Sequence, residues 1–293
     1  AFRKIVQSDY EVPAVVTIPD KKKGRGLKVN YSDVKKFALE YKIPILQPDN
    51  LLDKDFIYNL KSLNPDLIVI IAFRILPKEI FTIPNLGSIN LHASLLPKYR
   101  GAAPINRAIM NGESISGITT FFLNDSVDTG SIILQKEISI NINDTFGDVY
   151  YRMSEAGAQV VLDTINIVKN GTCKLINQDN SIATKAPKIF RKDCIIDWNN
   201  DSISLHNFIR GLSPVPAAYT TSKGKLFKIL KSSLSNIKSS KIPGTLFPVD
   251  KKLYVSTIDY DIEILTIQPE GKKAMKAEDF INGMSNDLIV FSK

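Results

Sequence analysis

Asn90, His92 and Asp128 are the residues of this sequence whose types and spacing best fit a shared chemical task. An amide, an imidazole and a carboxylate in one short span could promote the attack of an amine on a formyl carbon. That attack gives a tetrahedral species whose oxygen is negatively charged, and preorganised donors aimed at such an oxygen are usually the largest catalytic contribution. We predict that Asn90 and His92 bind this oxygen, and that Asp128 orients His92 and relays the amine proton.

A short strand is predicted to position the first two of these residues. Asn90 and His92 are two residues apart, so on a strand over 86–92 their side chains point to the same face. Active sites of open parallel sheets lie beyond the carboxyl ends of the strands, which is where both would emerge. Asp128 follows the next predicted strand, 118–123, on a loop rich in turn-forming residues.

Each of these residues has an ordinary structural interpretation when it is taken alone. A single Asn at a strand end is usually a cap or turn former, and an Asp in an Asp-Thr-Gly loop is usually a turn residue. The chain has two histidines, and the second, His206, falls on a predicted helix over 202–212 with apolar residues at helical spacing. We predict a structural role for His206 and a catalytic role for the three residues as a set.

Seven stretches give the chain a resemblance to a known family. They are PDKKKGRGLK (19–28), AFRILP (72–77), SLLPKYRGAAPI (94–105), LNDSVDTG (123–130), IDWNN (196–200), IRGLSPVPAAY (209–219) and IQPEGKKAM (267–275). Together they resemble the methionyl-tRNA formyltransferases. The motifs at 94–105 and 123–130 are similar to those of all folate-dependent formyltransferases, whereas the basic loop and the C-terminal stretches narrow the resemblance to the tRNA enzymes.

The resemblance implies two binding surfaces besides the catalytic residues. A pteridine is flat with a polar edge, so it needs an apolar slot and backbone groups that pair with that edge. The implied folate residues are Phe73, Ile75, Leu76, Pro77, Ser94, Leu95, Leu96, Pro97, Asp125, Ser126 and Val127; taken singly, the apolar ones would more often be core residues. The implied tRNA residues are Lys22, Lys23, Arg25, Lys28, Lys188, Lys272 and Lys273, with the loop 19–30 a mobile element and Arg25 at its tip.

The resemblance also implies the reaction. The chain would transfer a formyl group from 10-formyltetrahydrofolate, as co-substrate, to the α-amino group of methionyl-initiator tRNA for translation initiation. No cluster of metal ligands is evident in the sequence, so no metal is predicted. Two alternatives stay open: a formyltransferase with a small amine acceptor, such as a ribonucleotide or an amino sugar, and a catalytically silent tRNA-binding module.

Composition agrees with this interpretation without proving it. A net charge of +8 and a pI near 9.2 make a polyanionic partner plausible. No apolar run reaches the roughly 18–20 residues of a membrane span. Cys173 and Cys194 lie far apart and in no CxxC pattern, which indicates reduced thiols. We expect a cytoplasmic monomer that binds no membrane, and the sequence leaves open an organelle-targeting segment before Ala1.

Hydrophobic periodicity predicts an α/β protein. The expected architecture is a Rossmann-like domain with a mostly parallel sheet (1–168), a linker (169–200) and a small β-barrel (201–293). The resemblance implies that the first is the formyltransferase domain and that the barrel is OB-like and binds tRNA. The run 67–72 is the most apolar and predicts a strand buried on both faces. The chain opens as if in the middle of an amphipathic helix, so we expect about 15 residues, including the family's first strand and a Gly-Thr-Pro turn, to precede Ala1.

Predicted elements follow the order of the chain. Strands are expected at 12–18, 43–46, 67–72, 86–92, 118–123 and 131–138, and helices at 32–41, 52–63, 104–110 and 145–168. After the linker we expect a helix over 202–211 and strands at 217–221, 226–234, 244–247, 252–256 and 262–268. There is no GxGxxG pattern, so dinucleotide binding is not predicted.

Overall fold

A computed structural model describes residues 1–23, 28–284 and 289–292, and within 21–30 only the backbone of the two strands there. The chain divides into two compact units. Unit 1 comprises residues 1–100, 117–136 and 153–184, and unit 2 comprises 101–116, 137–152 and 185–293. Both units are assembled from separate stretches of sequence. The functional division at 1–168, 169–200 and 201–293 stays a prediction.

The first half of the chain alternates strands and helices, as predicted. Its elements are α1 (Phe2–Val6), β1 (Val15–Val16), β2 (Lys21–Lys23), β3 (Lys28–Asn30), α2 (Asp33–Glu40), β4 (Ile45–Leu46), α3 (Lys54–Ser62), β5 (Ile68–Ile71), α4 (Lys78–Phe81), β6 (Ser88–His92), α5 (Pro104–Met110), β7 (Ile115–Phe122), β8 (Ile132–Ser139) and α6 (Phe146–Lys169). Strand β1 pairs with β4 in parallel, and the order β5-β6-β7-β8 forms a second sheet. Strands β5 and β6 are parallel, and β7 runs antiparallel to β6. The Rossmann-like α/β class is confirmed.

Local chemistry explains where the first helices begin. Ser32 caps α2 by accepting a hydrogen bond from the Lys35 backbone N–H at 3.1 Å, as its position in the sequence predicts. Asp53 caps α3 in the same way, through the backbone N–H of Phe56 at 2.9 Å. Side-chain oxygens thus satisfy N–H groups that have no partner within their helix.

Strand β5 is less buried than its composition predicts. Only Ile70 is buried, whereas Ile71 is 37% exposed. Because β5 is the terminal strand of the β5-β6-β7-β8 sheet, only one of its edges has a neighbour in that sheet. Both faces nevertheless meet core residues, because Val69 packs against the cluster around Ile89 and Ile68 against the cluster around Phe56. The strand is thus covered on both faces, as predicted, but its burial is less complete than expected.

Unit 2 contains an antiparallel barrel. Its elements are α7 (Ser202–Leu212), β9 (Ala218–Ser222), β10 (Lys225–Lys238), β11 (Thr245–Val249), β12 (Lys252–Val255), β13 (Tyr260–Pro269), β14 (Met275–Lys276), α8 (Ala277–Asn282) and β15 (Ile289–Val290). The strand order is β15-β11-β12-β13-β10-β9, with β14 paired to β13. Thr221 of β9 and Ser292, just after β15, exchange two backbone hydrogen bonds, so the ends of the sheet meet. The predicted barrel class is confirmed.

The segment predicted as a linker is divided between the two units, with residues 169–184 in unit 1 and 185–200 in unit 2. Ile176 pairs with Ile132 as an isolated bridge in unit 1. Cys194, Ile196 and Trp198 are buried in the core of unit 2. Two short 3₁₀ helices, Asn180–Ile182 and Arg191–Cys194, interrupt the segment. Its polar composition hid these contacts from sequence reasoning.

Candidate active site

Strand β6 positions the two predicted oxyanion ligands. Asn90 lies between Ile70 of β5 and Phe121 of β7, and His92 lies opposite Thr119. Alternation along the strand places Asn90 and His92 on one face. Ile89, which directly precedes Asn90, is 1% exposed and belongs to the core of unit 1. A core-anchored strand therefore fixes both side chains, as the sequence predicts.

His92 is held between a carbonyl and a carboxylate. Its Nε2 atom lies 2.8 Å from the Tyr99 carbonyl oxygen. A carbonyl oxygen can only accept, so Nε2 donates and Nδ1 is the ring atom that remains for other contacts. Nδ1 lies 3.8 Å from Asp128 Oδ2, and the two side chains are only 7% and 11% exposed. The structure thus brings the predicted imidazole and carboxylate together, at a separation suited to charge interaction more than to a hydrogen bond.

Asp128 sits on a turn that its neighbours fix. Its φ angle is 55°, a left-handed conformation that Asp tolerates better than most residues. Asn124 Oδ1 accepts from the Ser126 backbone N–H at 3.1 Å and from the Thr129 hydroxyl at 2.9 Å. A Cβ atom added at Gly130 would lie 1.6 Å from the Phe122 carbonyl oxygen, so no larger residue fits there. The turn-rich loop predicted at 124–130 is confirmed.

Thr119 organises the segment that follows His92. Its hydroxyl donates to the Ser94 carbonyl at 2.7 Å and accepts from the Leu96 N–H at 3.1 Å and from Gln135 Nε2 at 2.9 Å. Gln135 Nε2 also donates to the Leu96 carbonyl at 2.9 Å. Thr119 is fully buried. Sequence reasoning missed this residue, because β-branched residues inside a strand usually indicate only strand formation.

The predicted folate loop after β5 is anchored at one end and exposed in its middle. Arg74 donates to the backbone carbonyls of residues 48 and 49 at 2.7 and 2.8 Å. Phe73 and Leu76 pack against the hydrophobic cluster around Phe56. Ile75 is 76% exposed, and Pro77 precedes α4 as its N-cap. Ile75 is thus available to a ligand, whereas Phe73 and Leu76 also serve the core.

The other predicted folate residues differ in exposure in the same way. Lys78 Nζ lies 3.4 Å from Asp125 Oδ2, so the start of α4 is close to the Asp128 loop. Ser126 and Val127 in that loop are exposed. Ser94 and Leu96 are buried, and the Ser94 hydroxyl donates to the Lys98 carbonyl at 2.6 Å. Leu95 and Pro97 are half-buried.

The predicted tRNA residues fall in two places. Arg25 lies outside the described residues. Lys22, Lys23 and Lys28 belong to the antiparallel hairpin of β2 and β3, in which Lys22 pairs with Val29 and Lys23 with Lys28; their side chains are outside the described part of the structure. The sequence predicts a loop over 19–30, and the structure has a short hairpin at its ends. In unit 2, Lys188, Lys272 and Lys273 are exposed.

Unit 2 contains a cavity of about 520 Å³, and some of the residues that line it are close in sequence to these lysines. Its lining includes Arg191, three residues after Lys188, and Gly271, directly before Lys272. Tyr219 and Lys228 also line it, and the Arg191 guanidinium lies 5.8 Å from the centre of the Tyr219 ring. An aromatic ring beside cationic side chains is a combination that nucleic-acid-binding proteins use. Tyr219 and Gly271 belong to two of the C-terminal stretches that carry the resemblance, whereas Arg191 and Lys228 lie in none of the seven stretches.

His206 has the structural role that the sequence predicts. Its Nε2 atom donates to the Ile142 carbonyl at 2.9 Å, which leaves Nδ1 to accept from the Ser232 hydroxyl at 2.9 Å. Burial lowers the pKa of His206, and the charge of Arg210 lowers it further. With both nitrogens occupied and the ring 1% exposed, His206 has no surface for a substrate.

Two searches of the described residues bear on other functions. None of the helices in the described part of the chain is long and apolar enough to cross a bilayer. Within the same residues, no group of three or more His, Cys, Asp or Glu side chains is arranged to hold a metal ion.

Comparisons with known proteins agree with this geometry. The family model described as "Formyl transferase" matches residues 3–165, and that described as "Formyl transferase, C-terminal domain" matches residues 188–285. The methionyl-tRNA formyltransferase of Azobacteroides pseudotrichonymphae is 44% identical, over 95% of this chain and 90% of that protein. The enzyme of the same name from Clostridioides difficile is 43% identical, over 96% of this chain and 92% of that protein.

Solved structures show the same fold. An N-formyltransferase from Helicobacter canadensis, solved with folinic acid and dTDP-3-aminofucose, superposes with a TM-score of 0.62. It is 24% identical, with 90% of this chain and 93% of that chain covered, so the likeness is one of fold alone. The family models cover both halves of the chain, and the sequence relatives extend over nearly all of it. The chain belongs to the formyl transferase family and, within it, to the methionyl-tRNA formyltransferases.

Proposed function

We propose that this protein transfers the formyl group of 10-formyltetrahydrofolate to the α-amino group of methionyl-initiator tRNA, giving N-formylmethionyl-tRNA. One observation is the main support: the His92 ring lies between the Tyr99 carbonyl and Asp128, two residues beyond Asn90 on the same face of β6. An amide donor and an imidazole on β6 thus lie beside a carboxylate on the turn that follows β7. Formyl transfer to an amine needs these three groups.

The proposed chemistry assigns one task to each residue. As the amine nitrogen attacks the formyl carbon, the carbonyl oxygen gains negative charge, which the Asn90 amide and the Nδ1–H of protonated His92 bind. The amine then loses a proton, which Asp128 accepts within reach of the site. The carbonyl re-forms as the bond between the formyl carbon and the folate nitrogen breaks, that nitrogen takes the proton that Asp128 had accepted, and tetrahydrofolate leaves. The Tyr99 carbonyl keeps Nε2 protonated, so Nδ1 is the atom that acts.

Exposed apolar side chains near the catalytic residues fit the folate. Ile75 and Val127 are 76% and 53% exposed on two loops that the Lys78–Asp125 ion pair joins. A flat pteridine between these loops would cover both side chains and find backbone groups at its edge. Leu95 and Pro97 would form a further wall, while Ser94 and Leu96 support that wall from within. Phe73, Leu76, Pro77, Asp125 and Ser126 complete the proposed site.

The acceptor half of the proposal rests on charge and on family membership. The net charge of +8 favours a polyanionic partner, and exposed Lys188, Lys272 and Lys273 on unit 2 would contact phosphates. Lys22, Lys23, Arg25 and Lys28 would form a second contact around the β2–β3 hairpin. We further propose that the protein works as a cytoplasmic monomer.

Comparing acceptors tests the proposal. Purified protein would receive labelled 10-formyltetrahydrofolate with methionyl-initiator tRNA, uncharged initiator tRNA, an amino-sugar nucleotide or an aminoribonucleotide. We expect label only on the methionine released from charged tRNA. Label on a small amine with none on methionine would establish the alternative acceptor class, and tRNA binding without any transfer would indicate a silent binding module.

A further inference from the structure

The Gln178 side chain connects the two segments that hold His92 and Asp128. Its Nε2 atom donates to the Asp128 carbonyl at 3.0 Å and to the Gly130 carbonyl at 2.8 Å. Its Oε1 atom accepts from Arg100 Nε at 3.0 Å and from Arg100 Nη2 at 2.7 Å. Arg100 directly follows Tyr99, whose carbonyl fixes His92. Gln178 is therefore bonded to the Asp128 turn on one side and to the His92 support on the other.

Only a glutamine amide satisfies this arrangement. The two carbonyls can only accept and the guanidinium can only donate, so the amide orientation is set by its partners. A carboxylate at this position would keep the Arg100 contact but would turn an oxygen towards two carbonyl oxygens. A lysine or arginine could donate to the two carbonyls but would turn a positive charge towards the Arg100 guanidinium.

Thr184 strengthens the same connection. Its hydroxyl accepts from the Tyr99 N–H at 2.8 Å, and its carbonyl accepts from the Arg100 N–H at 2.9 Å. Arg100 Nη2 also donates to Asn180 Oδ1 at 2.9 Å. Residues 178–184 thus bind both backbone and side chain of the Tyr99–Arg100 pair, which leaves Gln178 as a short, fixed link to Asp128.

We infer that Gln178 is a positioning residue for catalysis, which sets the distance between His92 and Asp128 by holding the carbonyls of the Asp128 turn against Arg100. This inference rests on the proposed function, because the distance matters only if the two residues act together. Misplacement of a catalytic group by about 1 Å can cost ~10²-fold in rate. Loss of this link should therefore lower kcat and leave substrate binding nearly unchanged.

Gln178→Glu is the sharpest variant, and Asn177→Asp is its matched control. Asn177 Oδ1 accepts from the Ser131 hydroxyl at 3.2 Å, between the same two stretches of chain. An aspartate at position 177 still accepts from the Ser131 hydroxyl, and it adds the same negative charge as Gln178→Glu one residue earlier in the chain. We expect Gln178→Glu to lower kcat about 10-fold or more, with KM for methionyl-tRNA within about twofold, and Asn177→Asp to match the unmodified protein.

Two further measurements separate positioning from a general loss of stability. If Gln178 acts through Asp128, the double variant Gln178→Glu/Asp128→Asn should be no slower than Asp128→Asn alone. Independently of activity, the ring-nitrogen NMR shifts of His92 should change in Gln178→Glu, while those of His206, the other histidine, stay fixed. Arg100→Lys should give a smaller loss of the same kind, which provides a second variant if Gln178→Glu does not fold.

The outcomes distinguish this inference from the proposed function. An unmodified protein without formyl transfer to any acceptor would refute the proposed function, and the NMR comparison would still test the link. An active protein whose Gln178→Glu and Arg100→Lys forms keep normal kcat would refute the positioning role alone. Rate losses that multiply in the double variant would also overturn it, since Gln178 would then act apart from Asp128.

Discussion

Replacing Thr119 by valine tests how the segment after His92 is held. Valine has the same shape but no hydroxyl, so the Ser94 carbonyl and the Leu96 N–H lose the partner they have here, while Gln135 keeps the Leu96 carbonyl. A buried polar group left without a partner costs about 1–3 kcal/mol, so two such groups predict a loss of roughly 2–6 kcal/mol in the free energy of unfolding. The loosened segment should also reduce kcat/KM for formyl transfer.

The next residue provides the control. Thr120 is equally buried, but its hydroxyl pairs mainly with that of Thr164 at 2.7 Å, and Thr164 keeps the Val160 carbonyl. Thr120→Val should therefore cost about 1 kcal/mol or less. Urea unfolding of both variants gives the two free energies. If Thr119→Val is no less stable than Thr120→Val, the proposed role of the Thr119 hydroxyl is wrong.

Three other predictions follow from the structure and sequence. Burial lowers the pKa of His206, so below about pH 6.5 the unfolded chain takes up a proton that the folded chain does not. The free energy of unfolding should therefore fall as the pH drops below about 6.5 and level off below the folded-state pKa of His206. Urea midpoints measured across this pH range should show the loss in the unmodified protein and not in His206→Gln. Arg25→Lys should impair formylation of charged tRNA almost as much as Arg25→Ala, because an ammonium group cannot form the forked pair of hydrogen bonds that a guanidinium forms. A normal kcat/KM in either variant would show that Arg25 does not contact the tRNA. The logarithm of the tRNA association constant should fall with the logarithm of salt concentration by about 0.7–0.9 per phosphate contact, whereas folate binding should change far less; equal salt responses would argue against the basic residues as tRNA ligands.

Short-range patterns predicted the strand that presents the catalytic residues. The alternation of Asn90 and His92, and the turn signals around Asp128, are local properties of sequence that the structure retains. The 3.8 Å separation of His92 Nδ1 and Asp128 Oδ2 also follows from the sequence, because the two residues belong to neighbouring strands of one sheet or to the turn that follows them. The incomplete burial of β5 could not be predicted, because apolar composition does not distinguish an edge strand from a central one.

Long-range contacts were beyond the same reasoning. Gln178 lies 50 residues from Asp128 in a polar segment, and nothing in its neighbourhood indicates a partner. The closure of the barrel depends on Ser292, which meets Thr221, 71 residues away, through backbone groups and through the two side-chain hydroxyls. The helix α8 and strand β15 are too short to produce a clear period. Contacts of this kind depend on the whole fold rather than on a window of sequence.

The most direct test of the catalytic assignment is the single-turnover rate of formyl transfer to methionyl-tRNA in four variants. These are Asn90→Ala, His92→Ala, Asp128→Ala and the triple variant. We predict that each single change lowers the rate by ~10²-fold or more with folate still bound, and that the triple variant is little slower than the slowest single one, because the three residues act as a unit. A normal rate in any single variant, or losses that multiply in the triple variant, would contradict the account.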